Sequence, residues 1–336
     1  MRKLFYLILF ILAPHHLWYF MRDERFKLIT VESDFGAGKQ GAAAGPQALI
    51  DELKILNFEK TDVYNYTRLV PKPLKDTTST PHGKNIEVIN SFQQKVCDNV
   101  FETLQLKHIP FIFSGDHSNA NALISGVKDF YANQRIGVIW IDAHADLHSP
   151  YTTPSGNIHG MPIAALMGDD HREMGKNDPK KMTRDLWEVL KKLGRRRITP
   201  KIQGRDLVFI ALRSTEDEEE KIITKEGIKC FRPNDIKTLG IDIVANQTLH
   251  HLRNCQYIYI SFDVDSLDTQ YSVGTGTPVE DGLTIEQAKY LLTTFGKQDK
   301  LIGMEITEIN PDLDTARPMQ KVISQLIQNI FTHKDL

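Results

Sequence analysis

The chain is poor in cysteine and carries no large excess of charge of either sign. Its three cysteines, Cys97, Cys230 and Cys255, stand far apart in 336 residues. Their spacing matches neither a zinc-ligand pair nor a disulfide framework, and an odd count argues against an oxidising compartment. Free buried thiols in a cytoplasmic protein are therefore expected. The balance of 41 Lys and Arg against 43 Asp and Glu gives a formal net charge of −2, which excludes the basic footprint of a nucleic-acid-binding protein. Long apolar runs are also missing. Leu4 to Ala13 spans about ten residues, well short of the ~20 that cross a bilayer, and no stable membrane insertion is expected.

That N-terminal run has two readings. Met1-Arg2-Lys3 followed by apolar residues resembles a signal peptide, which would leave export open. Yet Pro14-His15-His16 follows in place of a small-x-small cleavage site. Met21 offers a second plausible start, which would make the segment an upstream mis-start. Residues 1–22 are read as an appendage and residues 23–336 as one catalytic domain.

Within that domain, short apolar runs without polar alternation read as strands of a buried parallel sheet. They are Phe26–Val31, His108–Phe113, Ile136–Ile141, Leu207–Leu212, Tyr257–Phe262 and Leu301–Ile306. Helical patterns lie between them: one follows Gly45-Pro46, one opens at Thr284 with Gln287 as a capping box, and one carries Val322, Ile323, Leu326, Ile327, Ile330 and Phe331 as an apolar stripe. Strands alternating with helices predict a three-layer α/β/α fold. The stretch from Asp169 to Asp206, dense in charge and poor in core residues, reads as a surface excursion with a helix around Asp185–Leu193.

Chemistry in such folds gathers beyond the carboxyl ends of the strands. Three predicted strands run there into ligand-type residues: His117 after the second, Asp142, His144 and Asp146 after the third, and Asp263 and Asp265 after the fifth. Residues two apart in extended chain point the same way, so each run can converge on one point. Four carboxylates at one place repel unless protonated or neutralised, and two divalent ions cancel four charges. Oxygen ligands with two imidazoles suit Mn²⁺, two per subunit, with Co²⁺, Fe²⁺ or Ni²⁺ also admissible.

The motifs SGDHS (Ser114–Ser118), DAHAD (Asp142–Asp146) and SFDVDSLD (Ser261–Asp268) together resemble the arginase family, the ureohydrolases. The early Gly36-Ala-Gly-Lys39, the Gly276-Thr277-Pro278 turn and Glu308-Ile-Asn-Pro311 extend the likeness from about residue 26 to the C-terminus. The resemblance implies an arginase-like fold with a mostly parallel sheet of about eight strands. It implies one metal held by His117, Asp142, Asp146 and Asp263, and another held by His144, Asp142, Asp263 and Asp265. Attack by a metal-bridging hydroxide on the guanidinium carbon of L-arginine would yield L-ornithine and urea. Asp146 would pass a proton to the leaving amine, His159 would shuttle protons, and Glu308 would pair with the guanidinium. Ser155 and Asn157 would hold the α-carboxylate, and Thr277 would line the substrate side.

Two positions depart from the family pattern. His148 stands where an asparagine is common, and Glu216 where an aspartate meets the α-amino group; both suggest a divergent bacterial arginase. Glu219 either joins Glu216 or is surface charge. The competing expectations are a ureohydrolase acting on agmatine or another guanidino acid, and a non-catalytic binding protein on the same fold. The family resemblance also implies a homo-oligomer, a trimer or hexamer.

Overall fold

The computed structural model describes residues 25–56, 58, 63–72, 80–271, 273–314, 316 and 318–332. The N-terminal appendage, with its two readings, lies outside them. Among the described residues eight strands form one sheet, β1 Phe26–Val31, β2 Thr67–Leu69, β3 Ile109–Ser114, β4 Ile136–Ile141, β5 Leu207–Ile210, β6 Lys229–Phe231, β7 Tyr257–Asp263 and β8 Leu301–Thr307. Their order is β2-β1-β3-β8-β7-β4-β5-β6, and every pairing is parallel. The expected six strands are all present; the fourth is shorter, stopping before Ala211, whose φ of 74° leaves the extended region. The short edge strands β2 and β6 carry too few apolar residues to stand out in the sequence.

Ten α-helices among the described residues cover the sheet: α1 Gly45–Ile55, α2 Ile86–Gln105, α3 Ala120–Phe130, α4 Pro162–Met167, α5 Lys181–Lys191, α6 Asp217–Glu226, α7 Pro233–Leu239, α8 Ile241–His251, α9 Ile285–Gly296 and α10 Pro318–Thr332. The strand residues alternate between two cores. Phe111 and Phe113 face one cluster with α1, α8, α9 and α10, while Ile112, Val138 and Trp140 face another with α2, α3 and α4. This alternation is the three-layer arrangement, and burial on both sides is why no polar period appears in the strands. The reciprocal Thr284–Gln287 cap is formed, with N···O distances of 2.9 and 3.2 Å.

The charged excursion needs correction. Its helix begins at Lys181 and ends at Lys191, and the stretch is not poor in core. His171, Trp187, Leu190, Lys191 and Lys201 are buried, the two lysines through an ion pair to Asp170 and a bond to the Lys191 carbonyl.

At the bottom of the first core, Phe26, Phe111 and Phe331 meet edge to face at 5.2 to 6.3 Å between ring centres. Phe111→Ala should therefore cost about 3–5 kcal/mol. Equilibrium denaturation should show a lower midpoint with an unchanged slope, and an unchanged midpoint would contradict this packing.

Candidate metal centre

The four central strands, β3, β8, β7 and β4, end side by side. Chain segments nearly 200 residues apart thus meet at one edge: Ser261 lies level with Trp140 and Glu305, and Asp263 level with Thr307. The turn after β3 needs Gly115, since a Cβ there would lie 2.1 Å from the Ser33 carbonyl oxygen. That close approach aims His117 inward. The Glu308 and Thr307 ends are pinned to the same turn, Glu308 N–H donating to the Gly115 carbonyl at 2.7 Å and Thr307 Oγ1 to it at 2.9 Å.

His117 is fully buried, and its two ring nitrogens have different surroundings. Nε2 lies 2.7 Å from Ser261 Oγ, which itself donates to Glu305 Oε1 at 2.8 Å. Ser261 therefore accepts from Nε2–H, leaving Nδ1 as a lone pair in the neutral ring. That lone pair faces Asp142 Oδ2 at 3.0 Å, Asp146 Oδ2 at 3.2 Å and Asp263 Oδ2 at 3.2 Å. Neither Nδ1 nor Asp146 Oδ2 has a hydrogen-bond partner. A lone pair surrounded by three carboxylate oxygens is repulsive as it stands, and a cation between them reverses the sign of every contact.

Asp142 is shared. Its Oδ2 faces His117, while its Oδ1 lies 3.5 Å from His144 Nδ1, which also meets Asp265 Oδ2 at 3.1 Å. Two donor groups result, His117-Asp142-Asp263 and Asp142-His144-Asp265, each with its donor atoms within 4.8 Å. Without a cation, protons must share this cluster: burial opposes charge on His117, but bonds to Asp142, Asp146 and Asp263 push it well above the ordinary histidine range. Burial together with the charges of Asp265 and Asp142 pushes Asp263 well above the usual carboxylate range. Burial works the same way on Asp142, but bonds to His117 and His144 hold it below. Imidazole and carboxylate donors in this number suit two divalent cations, which would be held by His117, Asp142, Asp146 and Asp263 and by His144, Asp142, Asp263 and Asp265. In this structure Asp263 Oδ1 accepts from Asp265 N–H at 2.8 Å, so its second oxygen is partly committed.

Behind the donors stands a supporting layer absent from the expectations above. The Trp140 ring stacks on His117, 4.0 Å between centres and 8° from parallel, and donates to Asp142 Oδ2 at 2.9 Å. Glu305, beyond Ser261, is pushed up to about 7 by burial. The signal for two of these residues was the strand period: Trp140 and Ser261 each precede a metal-type aspartate by two positions.

A cavity of about 260 Å³ opens above the cluster. All the expected site residues line it except Asp142 and Asp265, which touch it through His144 and Thr277. Thr277 Oγ1 donates to Asp265 Oδ2 at 3.0 Å. On the floor, Glu308 Oε1 accepts from His117 N–H at 2.9 Å and from His159 Nδ1 at 3.1 Å. Burial opposes charge on His159, but the bond to Glu308 raises it to about 9, and Glu308 is lowered in turn. Both Asp146 and Glu308 hold a left-handed backbone, φ 53° and 66°, a conformation that costs a non-glycine residue free energy and collects at functional sites.

At the mouth, His148 is engaged on both nitrogens, by Thr152 Oγ1 and by Glu216 Oε2, each at 3.1 Å. That bond takes Glu216 down to about 2. Glu219 is not surface charge. It is buried, and its carboxylate accepts Leu147 N–H at 3.1 Å and Glu216 N–H at 3.2 Å, so it fastens the start of α6 to the DAHAD loop. The turn between Ser155 and Asn157 requires Gly156, at φ 77° with no room for a Cβ beside the Pro81 carbonyl. Lys84, also not anticipated, donates through Nζ to Asn157 Oδ1 at 3.1 Å; no local pattern marks it.

The chain resembles known proteins over nearly all of its length. The model of the Arginase family matches residues 24–332. The arginase of Bacillus subtilis strain 168 is 28% identical over 317 residues, covering 93% of this chain and 99% of the relative. The arginase of Entamoeba histolytica is 30% identical over 312 residues, covering 91% and 98%. Among solved structures, the native arginase of Bacillus caldovelox superposes with a TM-score of 0.78 at 28% identity, covering 93% of this chain and all of the other. A formimidoylglutamase from Bacillus subtilis shares the fold, with a TM-score of 0.68 at 17% identity over 94% and 89% of the two chains.

Titration of metal-stripped protein with Mn²⁺ should quench Trp140 fluorescence and saturate at two ions per chain. Asp142→Asn should lose both binding events, and binding unaltered by that change would remove Asp142 from the centre. In the same metal-free protein, NMR should find His159 titrating near 9, falling toward the ordinary histidine range in Glu308→Gln. Because the folded value is the raised one, the stability from this pair is complete below about pH 6.5 and lost as pH rises through 9.

Proposed function

The chain belongs to the arginase family, and from that premise we propose that this hydrolase converts L-arginine to L-ornithine and urea at a centre of two Mn²⁺ ions. The observation that carries this reading is the cavity itself, with the metal-type cluster and Glu308 on its floor and the Ser155–His159 loop at its mouth. When bound, two divalent cations supply a water acidic enough to be a nucleophile near neutral pH.

The protein's own residues account for the other requirements. A guanidinium is planar and cationic, and a carboxylate matches it with two oxygens. Glu308 is buried, its charge is held by the His117 and His159 donors at one oxygen, and its other oxygen is left for the substrate. Asp146 Oδ2 faces the His117 lone pair as a ligand-type atom, so its other oxygen would take the proton of the attacking water and return it to the leaving amine. His159, protonated at neutral pH and partly exposed, links Glu308 to the cavity opening and can carry protons to solvent.

The other end of the substrate falls to the mouth. With both nitrogens of His148 engaged, carboxylate recognition rests on Ser155 and on Asn157. The Lys84 ammonium fixes Oδ1 of that amide and leaves its NH₂ group as the donor. Glu216 is ionised at the opposite side and suits an α-amino cation. A ureohydrolase for agmatine is the reading this arrangement disfavours, since agmatine offers no carboxylate to Ser155 and Asn157.

Urea release should be clearly faster from L-arginine than from agmatine; release from agmatine with none from arginine would overturn the assignment. Asp146→Asn should lower kcat by about 10²–10⁴-fold while L-arginine still binds.

A further inference from the structure

The loop from Ser149 to Gly156, buried except at Pro154 and Ser155, carries three of the residues that line the cavity, Thr153, Pro154 and Ser155. Facing it across the mouth is the start of α6, with Glu216 and Glu219. Neither wall belongs to the sheet; His148 ties them at the rim by its contacts with Thr152 Oγ1 and Glu216 Oε2, and a second tie lies behind them. Buried carbonyls of such a loop also need donors, and the carbonyls of Pro150, Tyr151 and Thr153 find them in one place.

That place is the first part of the charged excursion. Lys176 N–H and Asn177 N–H both donate to the Tyr151 carbonyl, at 2.8 and 2.9 Å. Asn177 Nδ2 donates to the Thr153 carbonyl at 2.7 Å and reaches the Pro150 carbonyl at 3.3 Å. Arg172 donates to Tyr151 Oη at 2.8 Å, its guanidinium 4.6 Å from the ring centre, and Ser149 Oγ donates to the Asp170 carbonyl. The same segment grips α6, through Lys176 Nζ to Glu218 and Lys225 Nζ to Glu173. It is anchored to α5, where Lys191 Nζ and Trp187 Nε1 meet the Asp170 carboxylate at 2.6 and 3.0 Å.

We propose that residues 170–177 form a brace that fixes the spacing of the two cavity walls, and that Asn177 is its positioning residue. Asn177 touches no reacting atom; it acts through Thr153. The Thr153 carbonyl takes the Asn177 amide, while its Oγ1 accepts Gly156 N–H at 2.9 Å and Ser155 N–H at 3.3 Å. The chain of contacts therefore runs from the brace to the turn that presents Ser155 and Asn157. One residue, Lys176, is bonded by its backbone to one wall and by its side chain to the other.

The proposal rests on Ser155 and Asn157 being substrate-side residues, and its test separates the two ideas. Asn177→Ala and the equally sized Asn177→Asp, which loses both donors, would be compared with wild type as full-length, Mn²⁺-loaded protein. Amide hydrogen exchange at Ser155 and Gly156 should quicken about tenfold in both variants, with exchange in β3, β4 and β7 unchanged. KM for L-arginine should rise about 3- to 10-fold, the worth of one neutral hydrogen bond, with kcat within twofold. KM for agmatine should stay within twofold. Unaltered exchange at Ser155 and Gly156 overturns the brace. Faster exchange with no change in KM overturns Asn177 as a positioning residue, and a fall in kcat alone does the same. Failure of wild type to hydrolyse arginine would instead strike the proposed function, leaving the exchange result to judge the brace.

Discussion

The lone pair of His117 Nδ1 faces three carboxylate oxygens on the buried floor of the cavity, and much of the structure follows from that one contact. Burying several like charges is among the costlier things a fold can do, and the cost is recovered only when an opposite charge is held among them. Among the described residues, no lysine or arginine forms an ion pair with Asp142, Asp146, Asp263 or Asp265. The central strands, the glycine-enforced turn at Gly115 and the Trp140 stack hold the donors in a geometry that is unfavourable until a cation joins it. That is the physical sense in which such a fold and its metals are one system.

This constraint explains why the centre was legible in the sequence while its surroundings were only partly so. Buried parallel strands announce themselves as unbroken apolar runs, and a run that ends in Asp-Ala-His-Ala-Asp sets three ligand-type side chains at the edge of the sheet. Six of the eight strands and every metal-type residue were visible on that basis. The three-residue edge strands β2 and β6 were not, because their pairing comes from neighbours and not from their own composition. Trp140, Ser261 and Glu305 were hidden for a different reason. Their side chains serve another residue's orientation, and no local pattern encodes whom a side chain supports.

The mouth of the cavity shows the same division. Ser155, Asn157 and His159 were placed by the family resemblance, and the cavity collects them. Glu219 reads equally well as surface charge until its two backbone donors are seen. The excursion from Asp169 to Asp206 looked like solvated chain because its charges dominate the composition. Its lysines and aspartates pair with one another, and the buried Trp187 beneath them is what the charge density concealed. A paired charge and a solvated charge are spelled with the same letters.

The left-handed backbone at Asp146 and Glu308 has a consequence for how this protein can change over generations. At both positions glycine would relieve the backbone and remove the carboxylate. Random drift toward a more stable chain thus points away from activity at two positions of the site. A descendant freed from selection for hydrolysis would gain stability as it lost these side chains. At these two positions backbone stability and a carboxylate on the cavity floor call for different residues, so a gain in one is a loss in the other.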